Sequence, residues 1–381
     1  MTHAERYLEL ALRLARHDPD LVDFYYGPPE LERRVAEEPL LELSRLVADA
    51  DELLAELADA WLAGQVRALG ATARTLAGEE LPYPEEVALK YGIRPQWVDE
   101  REFERGHALL DEALPGSGDL AARFVRRLEE VALPGELTGP ALREAVGIVR
   151  ERTRDAVGLP EGEDVELEVV TGELWLGFAR YLGGFRTRIG LNADLPFPAD
   201  DLLWFAAHEA YPGHHSHRAW QEAEVVRGSR RLEPTLGLLR TPDAVITEGI
   251  AQAAPPLVLD GAYEELAERL APLRFDYDSE TGARVAAADH LLVPVWSNAA
   301  ILRHERGASR EEAWQYAAQW SLLPRDRVDK FFASQVEDRG ALGYVHCYSH
   351  GERLCSAYVA GDPGRLRRLV TELVLPSDLV A

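Results

Sequence analysis

The stretch Asp200-Asp201-Leu202-Leu203-Trp204-Phe205-Ala206-Ala207-His208-Glu209-Ala210-Tyr211-Pro212-Gly213-His214-His215-Ser216-His217 decides how this chain is read. Its two aspartates stand where a helix start favours negative charge. Six apolar residues follow, so the helix is expected to be buried on most sides. His208 and Glu209 then enter that helix side by side. A buried carboxylate is costly unless it is paired or lies near a cation, and a bound metal supplies one. Four of the eleven histidines fall between 208 and 217.

The zinc-protease pattern H-E-x-x-H puts two histidines four apart on one helix face. Here the fifth position is Pro212. Proline crowds the carbonyl four residues back, and Gly213 frees the backbone. On an unbroken helix His214 stands about 600° around from His208 and faces elsewhere. A break at Pro212-Gly213 swings it back, so His214 is the expected second ligand. His215, seven residues after His208, is the alternative ligand.

A third ligand is found downstream. Thr241-Pro242-Asp243 starts a helix with a cap residue, a first-turn proline and an acid at its positive end. Glu248 is the only charged residue after that first turn, among apolar neighbours Ala244, Val245 and Ala251. It is therefore expected to be buried, and Gly249 beside it admits another backbone closely. Two histidines and a glutamate leave a zinc ion an open position, the arrangement of catalytic sites. Glu209 is the expected general base. Tyr344 and Tyr348, four apart, share a face if helical and are candidates to stabilise an oxyanion, with His346 as an alternative donor.

These residues resemble a known group. His208-Glu209-Ala210-Tyr211-Pro212-Gly213-His214 with Thr247-Glu248-Gly249 resembles the bacterial family called domain of unknown function 885, whose pattern is H-E-x-x-P-G-H followed by T-E-G-W-A. That family is similar in turn to the gluzincin metallopeptidases. Val345-His346-Cys347-Tyr348-Ser349-His350-Gly351 resembles its late tyrosine segment. The resemblance covers roughly residues 192–358. It implies zinc bound by His208, His214 and Glu248, Glu209 as base, and Tyr348 facing the site.

Outward from this core, the 381 residues are ordinary globular material, 46 % apolar and 28 % charged, enough for a sizeable core. The charge of −25 disfavours phosphate backbones and anionic lipid, so neither nucleic acid nor membrane is an expected partner. No apolar run reaches the ~18 residues of a membrane span. The acidic, amphipathic N-terminus does not read as a signal peptide. Cys347 and Cys355 make no disulfide framework and suit a cytoplasmic protein.

Helical periodicity runs through residues 7–15, 40–76, 84–91, 98–114, 120–131 and 140–157. Period-two alternation at residues 165–170 marks a strand, with further strands expected over 174–181 and 185–191. The expected fold class is mainly α with a small antiparallel β-sheet beside the active-site helix, and the resemblance implies a gluzincin-like helical metallopeptidase architecture. Residues 1–160 form an N-terminal helical region. Residues 161–381 form the catalytic region, with the sheet at 161–191, in one body with a cleft.

The expected function is a zinc metallohydrolase cleaving short peptides or other amides. The alternative is a catalytically silent protein that binds a peptide or small ligand on the same fold. No G-x-S-x-G elbow, Walker loop or G-x-G-x-x-G supports another chemistry.

Overall fold

The computed structural model describes residues 1–172, 177–193 and 196–380. The chain is mainly helical with small sheets. Each expected helical stretch holds one or more helices. Residues 40–76 become two, Leu43–Glu56 and Ala60–Leu76. The first helix, His3–Ala15, begins with a capping box. The Thr2 hydroxyl accepts the Glu5 amide at 3.2 Å, and the Glu5 carboxylate accepts the Thr2 amide at 2.7 Å. Its apolar stripe packs Tyr7, Leu8, Ala11 and Leu14 against the two following helices.

Five strands matter here: β1 (Val22–Tyr25), β2 (Asp164–Val170), β3 (Gly177–Gly183), β4 (Arg186–Asn192) and β5 (Leu236–Leu238). The expectation of an antiparallel sheet needs correction. β4 is central, antiparallel to β3 but parallel to β2, so the sheet is mixed. The tight hairpin is the one between β3 and β4. Its loop residues Gly184 and Phe185 have φ of 65° and 62°, the positive values a two-residue primed turn needs. β2 joins the far side of β4 and not its chain neighbour β3, which is left as an edge strand among the described residues. The start of the strand expected from residue 174, and the turn near 194–195, lie outside the described residues.

β1 pairs with β5, more than two hundred residues later in the chain. Residues 1–160 therefore supply part of the cleft wall, through Asp20, Asp23 and Phe24.

Four helices carry the site: α1 (Leu202–Glu209), α2 (His214–Trp220), α3 (Pro242–Ala253) and α4 (Val345–Val359). α1 buries Leu202, Leu203, Ala206 and Ala207 in a large apolar core. α3 is buried along almost its whole length. By length and mean hydropathy alone Ser279–His304 would suit a bilayer span, although no unbroken apolar run within it reaches ~18 residues. It is two helices, Ser279–His290 and Val295–His304, and packs Val285, Ala288, Val295 and Ala299 into the core.

Candidate metal centre

α1 ends at Glu209 and α2 begins at His214. The reason is local. Pro212 has no amide to continue the ladder. Gly213 lies so close to the preceding turn that a Cβ on it would stand 1.9 Å from the His208 carbonyl oxygen. The Gly213 amide donates instead to the Ala207 carbonyl at 2.9 Å. This tight reversal carries His214 back over the end of α1.

His208 and His214 then meet, with Nε2 atoms 3.1 Å apart. Glu248 arrives from α3. Its Oε2 is 3.4 Å from His208 Nε2, and its Oε1 is 3.7 Å from His214 Nε2. Donor atoms from all three residues lie within 4.8 Å of one another. A tetrahedral ion with bonds of about 2.0–2.2 Å sets its ligand atoms roughly 3.3–3.6 Å apart, close to these separations. Glu248 is 5 % exposed, and its Oε2 has no hydrogen-bond partner among the described residues. A buried carboxylate oxygen without a hydrogen-bond partner, facing two imidazoles, is a donor set that suits a cation. The residues fit zinc.

Protonation fits at two of the three residues; at His208 burial pulls the imidazole down, but Glu248 and Glu209 hold it above its usual value. Burial pushes the His214 imidazole down to about 3, which leaves it neutral. Burial would raise the Glu248 carboxyl, but His214, His208 and Tyr344 outweigh it and bring it down to about 2. A neutral histidine and an anionic glutamate are the forms that ligate a metal.

Tyr344 donates its hydroxyl proton to Glu248 Oε1 at 2.5 Å. Tyr348 lies one helical turn on, its ring 5.6 Å from that of Tyr344 and 6.3 Å from that of His208. Both tyrosines and Glu209 line the same cleft as the three ligands, a cavity of about 380 Å³. Burial pushes the Glu209 carboxyl up to about 7 although His208 pulls it down. Such a group exchanges a proton near neutral pH.

Two expected participants fall elsewhere. His346 is not at the cleft. It stands about 200° around α4 from Tyr344 and Tyr348 and is hydrogen-bonded at 2.8 Å to the buried Tyr83 hydroxyl. His215 is not a ligand. One residue past His214 it turns about 100° away, where Nδ1 meets the Thr187 hydroxyl at 2.8 Å and Nε2 donates to Glu163 at 3.1 Å. Tyr211 also donates to Glu163, so this network fixes the reversal from behind.

Among the cleft residues that sequence reading missed are Arg218 and Asp23. Arg218 is four residues after His214 and shares its face, a signal that was available. It donates to Asp243 at 3.0 Å, Thr247 at 2.9 Å and Gln221 at 2.8 Å, tying α2 to α3. Asp23 left no signal, because it reaches the cleft only through long-range strand pairing. The cap expected from Thr241 is also absent, for its side chain makes no capping bond to α3.

No protein-family model matches the chain, and no curated protein matches it. Solved structures do share its fold. One is a candidate lipoprotein from Colwellia psychrerythraea, with a TM-score of 0.56 and 15 % identity over 87 % of this chain and 67 % of that one. Another is a candidate lipoprotein of unknown function from Shewanella oneidensis, with a TM-score of 0.51 and 11 % identity over 90 % of this chain and 76 % of that one. At such identities the likeness is one of fold.

Proposed function

We propose that this protein is a zinc-dependent metallohydrolase of gluzincin-like architecture that cleaves short peptides. The reading rests on one observation above all: His208, His214 and Glu248 converge within 4.8 Å beside Glu209, in a cleft. The resemblance to the domain of unknown function 885 family supports it through the same residues.

Zinc bound by the three ligands would supply Lewis-acid polarisation of a scissile carbonyl and acidify a water. The protein's own groups supply the rest. Glu209 takes the proton of the attacking water and delivers it to the departing nitrogen. Tyr348 offers its hydroxyl to the oxygen that gains negative charge. Tyr344 does not face substrate in this scheme. It holds Glu248 in its ligating orientation, as outer-shell partners do. β3 is an edge strand of the sheet, and Gly177, Phe178 and Ala179 line the cleft. An extended peptide adds to such an edge by main-chain hydrogen bonds. The free, buried Cys347 and Cys355 suit a reducing compartment such as the cytoplasm.

Zinc content of the purified protein, combined with digestion of a peptide library, tests the reading. One zinc per chain with peptide cleavage is expected. Zinc without cleavage of any peptide or amide points to the silent binding protein. Failure to hold zinc under any loading condition ends the proposal.

A further inference from the structure

In β1, Val22 pairs with Leu238 but Phe24 pairs with Gly237, so the register shifts and Asp23 is the extra, bulged residue. Successive strand residues normally face opposite sides. A bulge re-aims a side chain. Here Asp23 and Phe24 both line the cleft. Gly237 permits the arrangement, for a Cβ there would lie 2.3 Å from the Phe24 ring. The Asp23 carboxylate thus enters the cleft beside Phe24, Phe178 and Tyr181.

The cations lining the cleft are already committed. Arg218 serves Asp243, Thr247 and Gln221, and Arg240 pairs with Asp18. Asp23 has no hydrogen bond or ion pair among the described residues, and Arg218 and Arg180 act on it only through space. The other two carboxylates of the rim are Asp20, which is exposed, and Asp338, which accepts the Gly340 amide at 2.8 Å. With a divalent ion bound, its charge offsets Glu209 and Glu248. Asp20, Asp23 and Asp338 then remain in excess over the two lining guanidinium groups, both of which are paired; among the described residues Arg180, exposed and packed over Phe178 at the edge of this wall, has no ion pair. The rings of this wall also attract cations. The guanidinium of Arg218 lies 5.2 Å from the Phe24 centroid and that of Arg180 lies 5.7 Å from the Phe178 centroid.

We propose that Asp23 is a specificity residue, receiving a positively charged group of the substrate and making the cleft selective for cationic peptides. This rests on the peptidase reading. The charged group is an ammonium or guanidinium, from either a free amino terminus or a basic side chain.

The test separates the two claims. Hydrolysis and zinc content of the wild type judge the peptidase reading. Asp23 is judged by binding without turnover, using the full-length Glu209→Gln protein, with and without zinc, in calorimetry. Four equal-length peptides are compared: one lysine peptide, its N-acetyl form, its side-chain-acetylated form, and the doubly acetylated neutral form. The cationic forms should bind more tightly than the neutral one. Adding Asp23→Asn should remove about 10- to 100-fold of that preference and leave neutral-peptide affinity unchanged. Asp23→Ser should behave the same, and Asp23→Glu should restore part of it. Whichever single acetylation abolishes the preference identifies the cation's source. Equal cationic-to-neutral ratios with and without Asp23, or no binding at millimolar peptide, overturn the proposal.

Discussion

Gly249 and Gly351 meet backbone to backbone where α3 crosses α4. A Cβ on Gly249 would lie 2.5 Å from the Gly351 carbonyl oxygen, and a Cβ on Gly351 would lie 2.3 Å from that of Val245. Neither obstacle is a flexible side-chain end. The close crossing brings Tyr344 within hydrogen-bonding reach of Glu248, so the geometry of the candidate metal centre depends on two missing methyl groups.

Gly351→Ala should therefore push the helices apart. A loss of about 1–3 kcal/mol in unfolding free energy is expected, as for overpacked cores, together with weaker zinc binding. Gly135→Ala, where a Cβ meets nothing within 4 Å, is the control and should be close to neutral. Urea denaturation of the three proteins checks this. Equal midpoints would contradict the crossing.

Zinc content should separate the clustered histidines. His208→Ala, His214→Ala and Glu248→Ala should each lose the metal. His215→Asn should keep it, because its ring faces Glu163 and Thr187. That variant should instead lose about 1–3 kcal/mol of stability through broken buried hydrogen bonds. Zinc loss in His215→Asn without unfolding would make the second ligand assignment wrong.

Glu209→Gln should hold zinc and the native fold while hydrolysis falls by about 10²- to 10⁴-fold. The amide matches the carboxylate in size but cannot take the water's proton. Equal turnover by this variant and wild type would remove Glu209 as the base.

The two tyrosines should divide by readout. Tyr344→Phe deletes the bond to Glu248 and should weaken zinc affinity by about 10- to 100-fold. Tyr348→Phe should leave zinc affinity alone and lower kcat. Competition with a chelator measures the first, and steady-state kinetics at saturating zinc the second. An unchanged zinc affinity in Tyr344→Phe would mean that its hydroxyl does not orient the ligand.

Asp23 should also be visible in stability. Burial pushes its carboxyl up to about 6; Arg218 and Arg180 pull it down, and Glu248 adds to the rise. Folding thus favours the protonated form. Its contribution is fully present below about pH 4, near the unfolded pKa, and is lost as pH rises through about 6. Asparagine does not titrate. The Tm of Asp23→Asn relative to wild type should therefore rise between pH 4 and pH 7. A flat difference would show that the cleft does not desolvate the carboxyl.

The sequence by itself determined the parts whose signals are local. Six apolar residues before His208-Glu209 specify a buried helix, and Pro212-Gly213 specify where it stops. Thr241-Pro242-Asp243 specify the start of the helix that buries Glu248, and Gly249 marks a close approach. Only the tertiary structure decided which of two adjacent histidines turned inward, because the angle of a chain reversal depends on what holds it, here Glu163 and Thr187 behind His215. It likewise decided that His346 packs on Tyr83 while Tyr344 reaches Glu248, since the same helix can present any face. The mixed sheet and the entry of Asp23 into the cleft were beyond local reading for the same reason. Strand partners are chosen by which edges are free once the core has packed, and the partner of β1 lies more than two hundred residues away along the chain.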